Sequence, residues 1–356
     1  MFPEAIFDAT LDLLSDEIRG QEIPSPAPLN TDSWLARSVL QKALRRGMTD
    51  LALSAAAQLH LLDRRTLWRR LIVTALEDLG PQEFGTIAAV VCAARNSGWR
   101  TRSGGDWPII AALIRRACAG TRSQVANDLW NIALHDPALS DAKADICELS
   151  PDAVRELSMQ ASDLGVRASA ALVAIGQAEW CDSGSYDYRA FFEVYAARAP
   201  VETAVLSEAF RITRVPLAGL LLILGHETAQ PVARINDDVA PVAWNGPIPT
   251  FAMDQYTRSG KTVIRQFVQQ SAIWNRFCKH WHIQKPNHIA AAAELLFRID
   301  GAAVTSRALS RQSADLRNRS EILGCFMPVG AVHDAASVIR LQLPLIDKMR
   351  SSFKLT

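Results

Sequence analysis

The residues with the most chemical character gather between positions 256 and 285. Arg258, Lys261 and Arg265 follow one another at i, i+3 and i+7, a spacing that puts three cations on one helical face. Arg276, Lys279 and Lys285 continue the positive run, and Tyr256, Trp274 and Trp281 stand among them. Lysine and arginine neutralise phosphates while exposed rings stack on bases, and together these hold a nucleic-acid strand. The six cations are therefore the expected nucleic-acid-binding residues. Phe267 and Trp274, seven positions apart, equally suit the buried side of one helix. A second basic stretch, Arg307, Arg311, Arg317 and Arg319, reads as an extension of this surface or as a solvated outer face.

Other clusters support less chemistry. Ser259-Gly260-Lys261-Thr262 ends like a phosphate-binding loop, but Gln255 stands where that motif needs its first glycine. Residues 241–250 hold three prolines where it needs a buried strand, so a helix with a basic face is the expectation. Cys278, His280, His282 and His288 are all zinc-type ligands, yet their spacing of two suits a strand or loop and not one helical face. They read as a helix end with Trp281 buried, and no metal ligand is assigned. His226-Glu227-Thr228-Ala229-Gln230 lacks the second histidine of a zinc-protease helix. Glu77 and Asp78 are adjacent carboxylates that point about 100° apart on a helix, too divergent to share one substrate atom. They read as structural, for instance pairing with Arg69 or Arg70. No catalytic residue is assigned, no cofactor is expected, and the balance leans against an enzyme.

These residues need elements to position them, and nearly every periodic segment predicts a helix. Asp32 or Ser33 opens one with Leu35, Val39, Leu40, Ala43 and Leu44 on a single face, while Arg37, Lys42, Arg45 and Arg46 project elsewhere. Thr49 opens the next, and Asp63 or Thr66 a third, which Gly80-Pro81 stops. Further helices are predicted over residues 82–96, 108–120, 123–135, 151–164 and 168–179, and from Pro200 onward. Residues 97–106 read as a glycine-rich loop. The apolar run from Val215 to Gly225 is too short to span a bilayer and reads as buried core. Four prolines between 228 and 250 break the pattern, and helices resume over 252–277, 286–298, 306–323 and 331–349. The expected fold is all-α: helical hairpins in a multi-helix array at 31–227, after an N-terminal segment at 1–30. A Pro-rich linker at 228–250 then leads to a basic helical domain at 251–356.

The 356 residues are 49% hydrophobic and 21% charged, which excludes a disordered chain. The net charge of +1 conceals a division: residues 251–356 hold 15 Lys+Arg against 7 Asp+Glu. That excess points to an anionic partner or to docking on the acidic remainder. The six cysteines form no CxxC pair and read as reduced, mostly buried thiols. With neither a leader pattern nor a membrane span, the expected location is the cytoplasm.

Three segments in order carry a family resemblance: Leu40-Gln41-Lys42-Ala43-Leu44-Arg45-Arg46-Gly47 with Asp50-Leu51-Ala52, then Leu67-Trp68-Arg69-Arg70-Leu71, then Ala75-Leu76-Glu77-Asp78-Leu79-Gly80. Residues 34–136 resemble the helical C-terminal region of the RarA/MgsA ATPases, the bacterial relatives of Werner-helicase-interacting protein. That family joins a clamp-loader-type ATPase to helices that tetramerise and works at stalled replication forks. Only 33 residues precede the matching region here, so the resemblance implies the oligomerising, DNA-proximal helices without the motor. No nucleotide-binding residue carries over. The expectation is a non-catalytic accessory protein of DNA replication or repair: a homo-oligomeric helical scaffold with a basic module that contacts single-stranded or forked DNA. The alternative is a protein–protein adaptor that docks on a partner ATPase or another replication or repair protein without touching DNA.

Overall fold

In chain order, the nineteen α-helices among the described residues are α1 (Pro3–Ile18), α2 (Ser33–Arg45), α3 (Thr49–Leu62), α4 (Arg64–Asp78), α5 (Phe84–Arg95), α6 (Ser97–Arg102), α7 (Asp106–Ala119), α8 (Val125–His135), α9 (Ser140–Cys147), α10 (Pro151–Gln160), α11 (Leu164–Ala174), α12 (Tyr188–Glu193), α13 (Pro200–Thr213), α14 (Leu217–Leu224), α15 (Arg258–Gln270), α16 (Ala272–His280), α17 (Asn287–Leu296), α18 (Arg311–Glu321) and α19 (Val332–Ser351). Four strands of two or three residues, β1 (Ala233–Ile235), β2 (Trp244–Asn245), β3 (Ile248–Pro249) and β4 (Arg307–Leu309), make two small sheets. The protein is all-α, as its periodicity predicts. The computed structural model describes residues 3–181, 187–225 and 233–354, so the His226–Gln230 segment lies outside the described residues.

Two compact units divide the chain, and each is assembled from three separate segments. The first takes Met1–Ile23, Trp68–Arg234 and Ala308–Leu323; the second takes Pro24–Leu67, Ile235–Arg307 and Gly324–Thr356. One crossing, between 234 and 235, falls in the proline-rich stretch. Another falls inside α4, where composition does not change at all. The charge division follows the units: the second holds 18 Lys+Arg against 10 Asp+Glu, and the first 20 against 27.

In the first unit, α1 buries Ile6, Phe7, Leu11 and Leu14 and packs on α5, α7 and α13. The apolar run is core as expected: every residue of α14 is buried, and the helix packs on α8, α11 and α13. The supposed loop at 97–106 is mostly helix. Asn96 caps α6 by accepting from the Trp99 amide (2.9 Å), and Arg100 donates to the Ala93 and Ala94 carbonyls and to Asp106. The two glycines sit just beyond, both at a φ of +93° that only glycine adopts readily. Residues 151–179 form two helices because Asp163 interrupts them and caps α11 through the Val166 amide, 2.9 Å away.

In the second unit, Asp32 caps α2 by accepting from the Trp34 and Leu35 amides (2.7 and 3.0 Å). Asp63 caps α4 through the Thr66 amide (3.0 Å). The inner faces of α15, α16, α17 and α19 build one core around Val263, Phe267, Trp274, Phe277, Leu296 and Ile339. The α2 cations correct the sequence reading: Lys42, Arg45 and Arg46 do not face solvent but are 2%, 1% and 8% exposed. Lys42 Nζ pairs with Asp254 (2.5 Å), Arg45 donates to the Gly301 carbonyl (2.9 Å), and Arg46 pairs with Asp300 (2.9 Å) while its guanidinium covers the Phe251 ring. Arg350 reaches the other Asp300 oxygen at 2.6 Å and Asp347 at 3.1 Å. Buried charges survive where each finds a partner.

Candidate nucleic-acid interface

Two consecutive helices position the basic residues. Thr257 starts α15 by accepting from the Gly260 amide (3.1 Å), and Ser271 ends it and starts α16 by accepting from the Trp274 amide (3.1 Å). That cap is why residues 252–277 are not one helix. Val263, Ile264, Phe267 and Val268 turn inward from α15, and Trp274, Phe277 and Cys278 from α16. The remaining positions face outward by helical geometry. Arg258, Lys261 and Arg265 are exposed on α15, Arg276 and Lys279 on α16, and Lys285 on the turn that follows. None of the six forms an ion pair with a described residue. Arg340 and Lys348, which no motif or spacing marks in the sequence, are two further exposed cations with no ion pair to a described residue. They lie on a helix that packs against both α15 and α16.

The aromatic residues behave differently from the cations. Trp274 is fully buried, stacked on Phe277 with centroids 5.5 Å apart, and Phe267 is core. Trp281 is half-buried against the same core, so of the proposed stacking rings only Tyr256, 59% exposed, is open to a base. The face is therefore rich in exposed cations and poor in exposed rings.

The phosphate-loop likeness has a packing explanation. A Cβ on Gly260 would lie 1.9 Å from the Asp254 carbonyl oxygen and 2.4 Å from its nitrogen, so glycine is required for close approach. The turn filling that space is held by Asp254, which accepts from the Tyr256 amide (2.9 Å) and binds Lys42. The helix-start amides face their own cap.

Most of the second basic stretch is paired internally. Arg307 is buried and bidentate to Asp237 (3.0 and 2.6 Å), Arg317 pairs with Glu321 (2.7 Å), and Arg319 pairs with Asp136. Internal partners take up these charges, leaving Arg311 exposed. The Cys278–His288 set is dispersed: Cys278 points into the core, and His288 Nε2 lies 3.0 Å from the Ile283 carbonyl. Among the described residues no group of three or more His, Cys, Asp and Glu is arranged to hold a metal. Asp78 is buried and accepts from Gln124 Nε2 (3.1 Å), while Arg69 donates to the Thr213 carbonyl (2.7 Å). Among the described residues no helix is long and apolar enough to cross a membrane.

Comparison with protein-family models, with curated proteins and with solved structures finds no match to this chain.

Proposed function

We propose that the chain is a non-catalytic nucleic-acid-binding scaffold whose contact surface is the outer face of α15 and α16, with Arg258, Lys261, Arg265, Arg276, Lys279 and Lys285 as phosphate ligands. The observation that carries this reading is that these six cations are exposed and form no ion pair with a described residue, whereas the buried Lys42, Arg46 and Arg350 of the same unit each have an acidic partner. An unpaired cationic face costs stability through self-repulsion, and a polyanion offsets that cost. DNA, as the particular polyanion, is suggested by the resemblance of residues 34–136 to the fork-associated helical region. Buried rings favour contact led by the phosphate backbone, so duplex and forked DNA should bind at least as well as single strands.

Fluorescence anisotropy with labelled single-stranded, duplex and forked DNA across a salt series tests this. Each phosphate neutralised on duplex contributes roughly −0.9 to the slope of log K against log salt, so six contacts give about −5 and a slope of about −4 or steeper is expected. The combined change Arg258→Ala, Lys261→Ala and Arg265→Ala should flatten that slope by about 3. Absence of binding to all three DNAs at low salt would end the DNA reading and turn attention to an acidic protein partner, as the adaptor alternative requires.

A further inference from the structure

Four of the six cysteines, Cys92, Cys118, Cys278 and Cys325, are buried. Burial pushes the thiols of Cys92, Cys278 and Cys325 up to about 11, which makes them inert. Cys147 and Cys181 are different: both are partly exposed, and both belong to the first unit. Cys147 is the last residue of α9. Cys181 follows a tight turn in which its amide donates to the Ala178 carbonyl (3.3 Å). Cys147 Sγ lies 4.0 Å from the carbonyl oxygen of Trp180, the residue before Cys181, which brings the two cysteines into one neighbourhood. Thirty-three residues separate them, including all of α10 and α11, so the fold and not local sequence brings them together.

We propose that Cys147 and Cys181 form a reversible oxidation site, a facing dithiol that hydrogen peroxide converts to a disulfide. Burial, with Cys181 adding to it, raises the Cys147 thiol to about 11, which suits Cys147 to the resolving role. The first attack is assigned to Cys181. Its thiolate attacks one peroxide oxygen, the O–O bond breaks, and the departing hydroxide takes up a proton, leaving a sulfenic acid at Cys181. The Cys147 sulfur then attacks the Cys181 sulfur. The S–S bond forms, the S–O bond breaks, and water leaves with the Cys147 proton. Two thiols and one peroxide yield one disulfide and two waters, sulfur losing the two electrons that peroxide gains. The bond closes a loop around α10 and α11 and ties the end of α9 to the residues that follow α11.

The test uses the full chain, treated with hydrogen peroxide in small molar excess and then mapped by mass spectrometry without reduction. The expected product is one cross-linked peptide pair joining Cys147 to Cys181, lighter by two hydrogens and restored by dithiothreitol. The melting midpoint should rise by several degrees on oxidation and fall back on reduction. In Cys147→Ser, a sulfenic acid at Cys181 should accumulate and be trapped by dimedone. Recovery of Cys147 and Cys181 from the wild-type chain as unlinked sulfinic acids or unmodified thiols, or cross-linked to other cysteines, would overturn the assignment. The wild-type map needs no variant to fold.

Discussion

Asp300 sits between two arginines in the second unit, 2.9 Å from Arg46 and 2.6 Å from Arg350, and it is 7% exposed. Burial opposes its ionisation, but Arg350 and Arg46 together outweigh burial and hold the carboxyl below the usual range. Asp300→Asn should destabilise the protein by about 3–5 kcal/mol in urea denaturation, because it strands two buried guanidiniums. The stability this group contributes is present above the ordinary Asp range and is lost as pH falls through the lowered value. Lys42 runs the other way. Burial brings it down to about 8 from 10.5, with Asp254 resisting. Between those values the unfolded chain holds a proton that the folded one has released, so this group makes stability rise with pH across the window. The stability of wild type relative to Lys42→Met should therefore increase by on the order of 3 kcal/mol from pH 7.5 to 10.5, and a flat difference would disprove the lowering of the lysine by burial. None of this was legible in the sequence. The pattern of apolar positions in α2 shows where leucines point, and it treats every remaining cation as solvated. The partners Asp254 and Asp300 lie 212 and 254 residues away.

At the level of the helices, the sequence was more informative. The outward cations of α15 were legible because apolar and charged positions alternate with the helical period; Phe267 and Trp274 are both core, but on two helices and not on one. The break at Ser271 was not legible, since apolar periodicity runs on past a serine that only the folded chain shows to be a cap. Ser271→Ala should cost about 1 kcal/mol, read as a lower urea midpoint, by leaving the Trp274 amide without its acceptor. Gly260→Ala should cost more, about 2–4 kcal/mol, because its Cβ meets backbone and the Asp254 turn must move. The triple change at Arg258, Lys261 and Arg265 should alter stability by less than about 0.5 kcal/mol, since these side chains touch no partner in the described residues. A DNA-binding defect without a stability defect separates a contact surface from a structural one.

For the whole molecule, a net charge of +1 understates what a partner meets, because the second unit is +8 and the first −7. At neutral pH and low salt, both heparin and an anion-exchange resin should retain the chain, and the triple variant should lose much of the first retention and little of the second. The compositional boundary at 228–250 was legible as a break in helical pattern. The three-part make-up of each unit was not, because α18 and α19 resemble any other helix until their packing is known. That make-up has a consequence for synthesis. The first unit waits for α18 and the second for α19, so on the ribosome neither is complete until these late helices have been made. Helices made early must persist as exposed apolar surface meanwhile, an interval in which chaperones and proteases have access to the nascent chain. A premature stop codon anywhere before residue 308 would leave neither unit whole, however much of the chain had been translated.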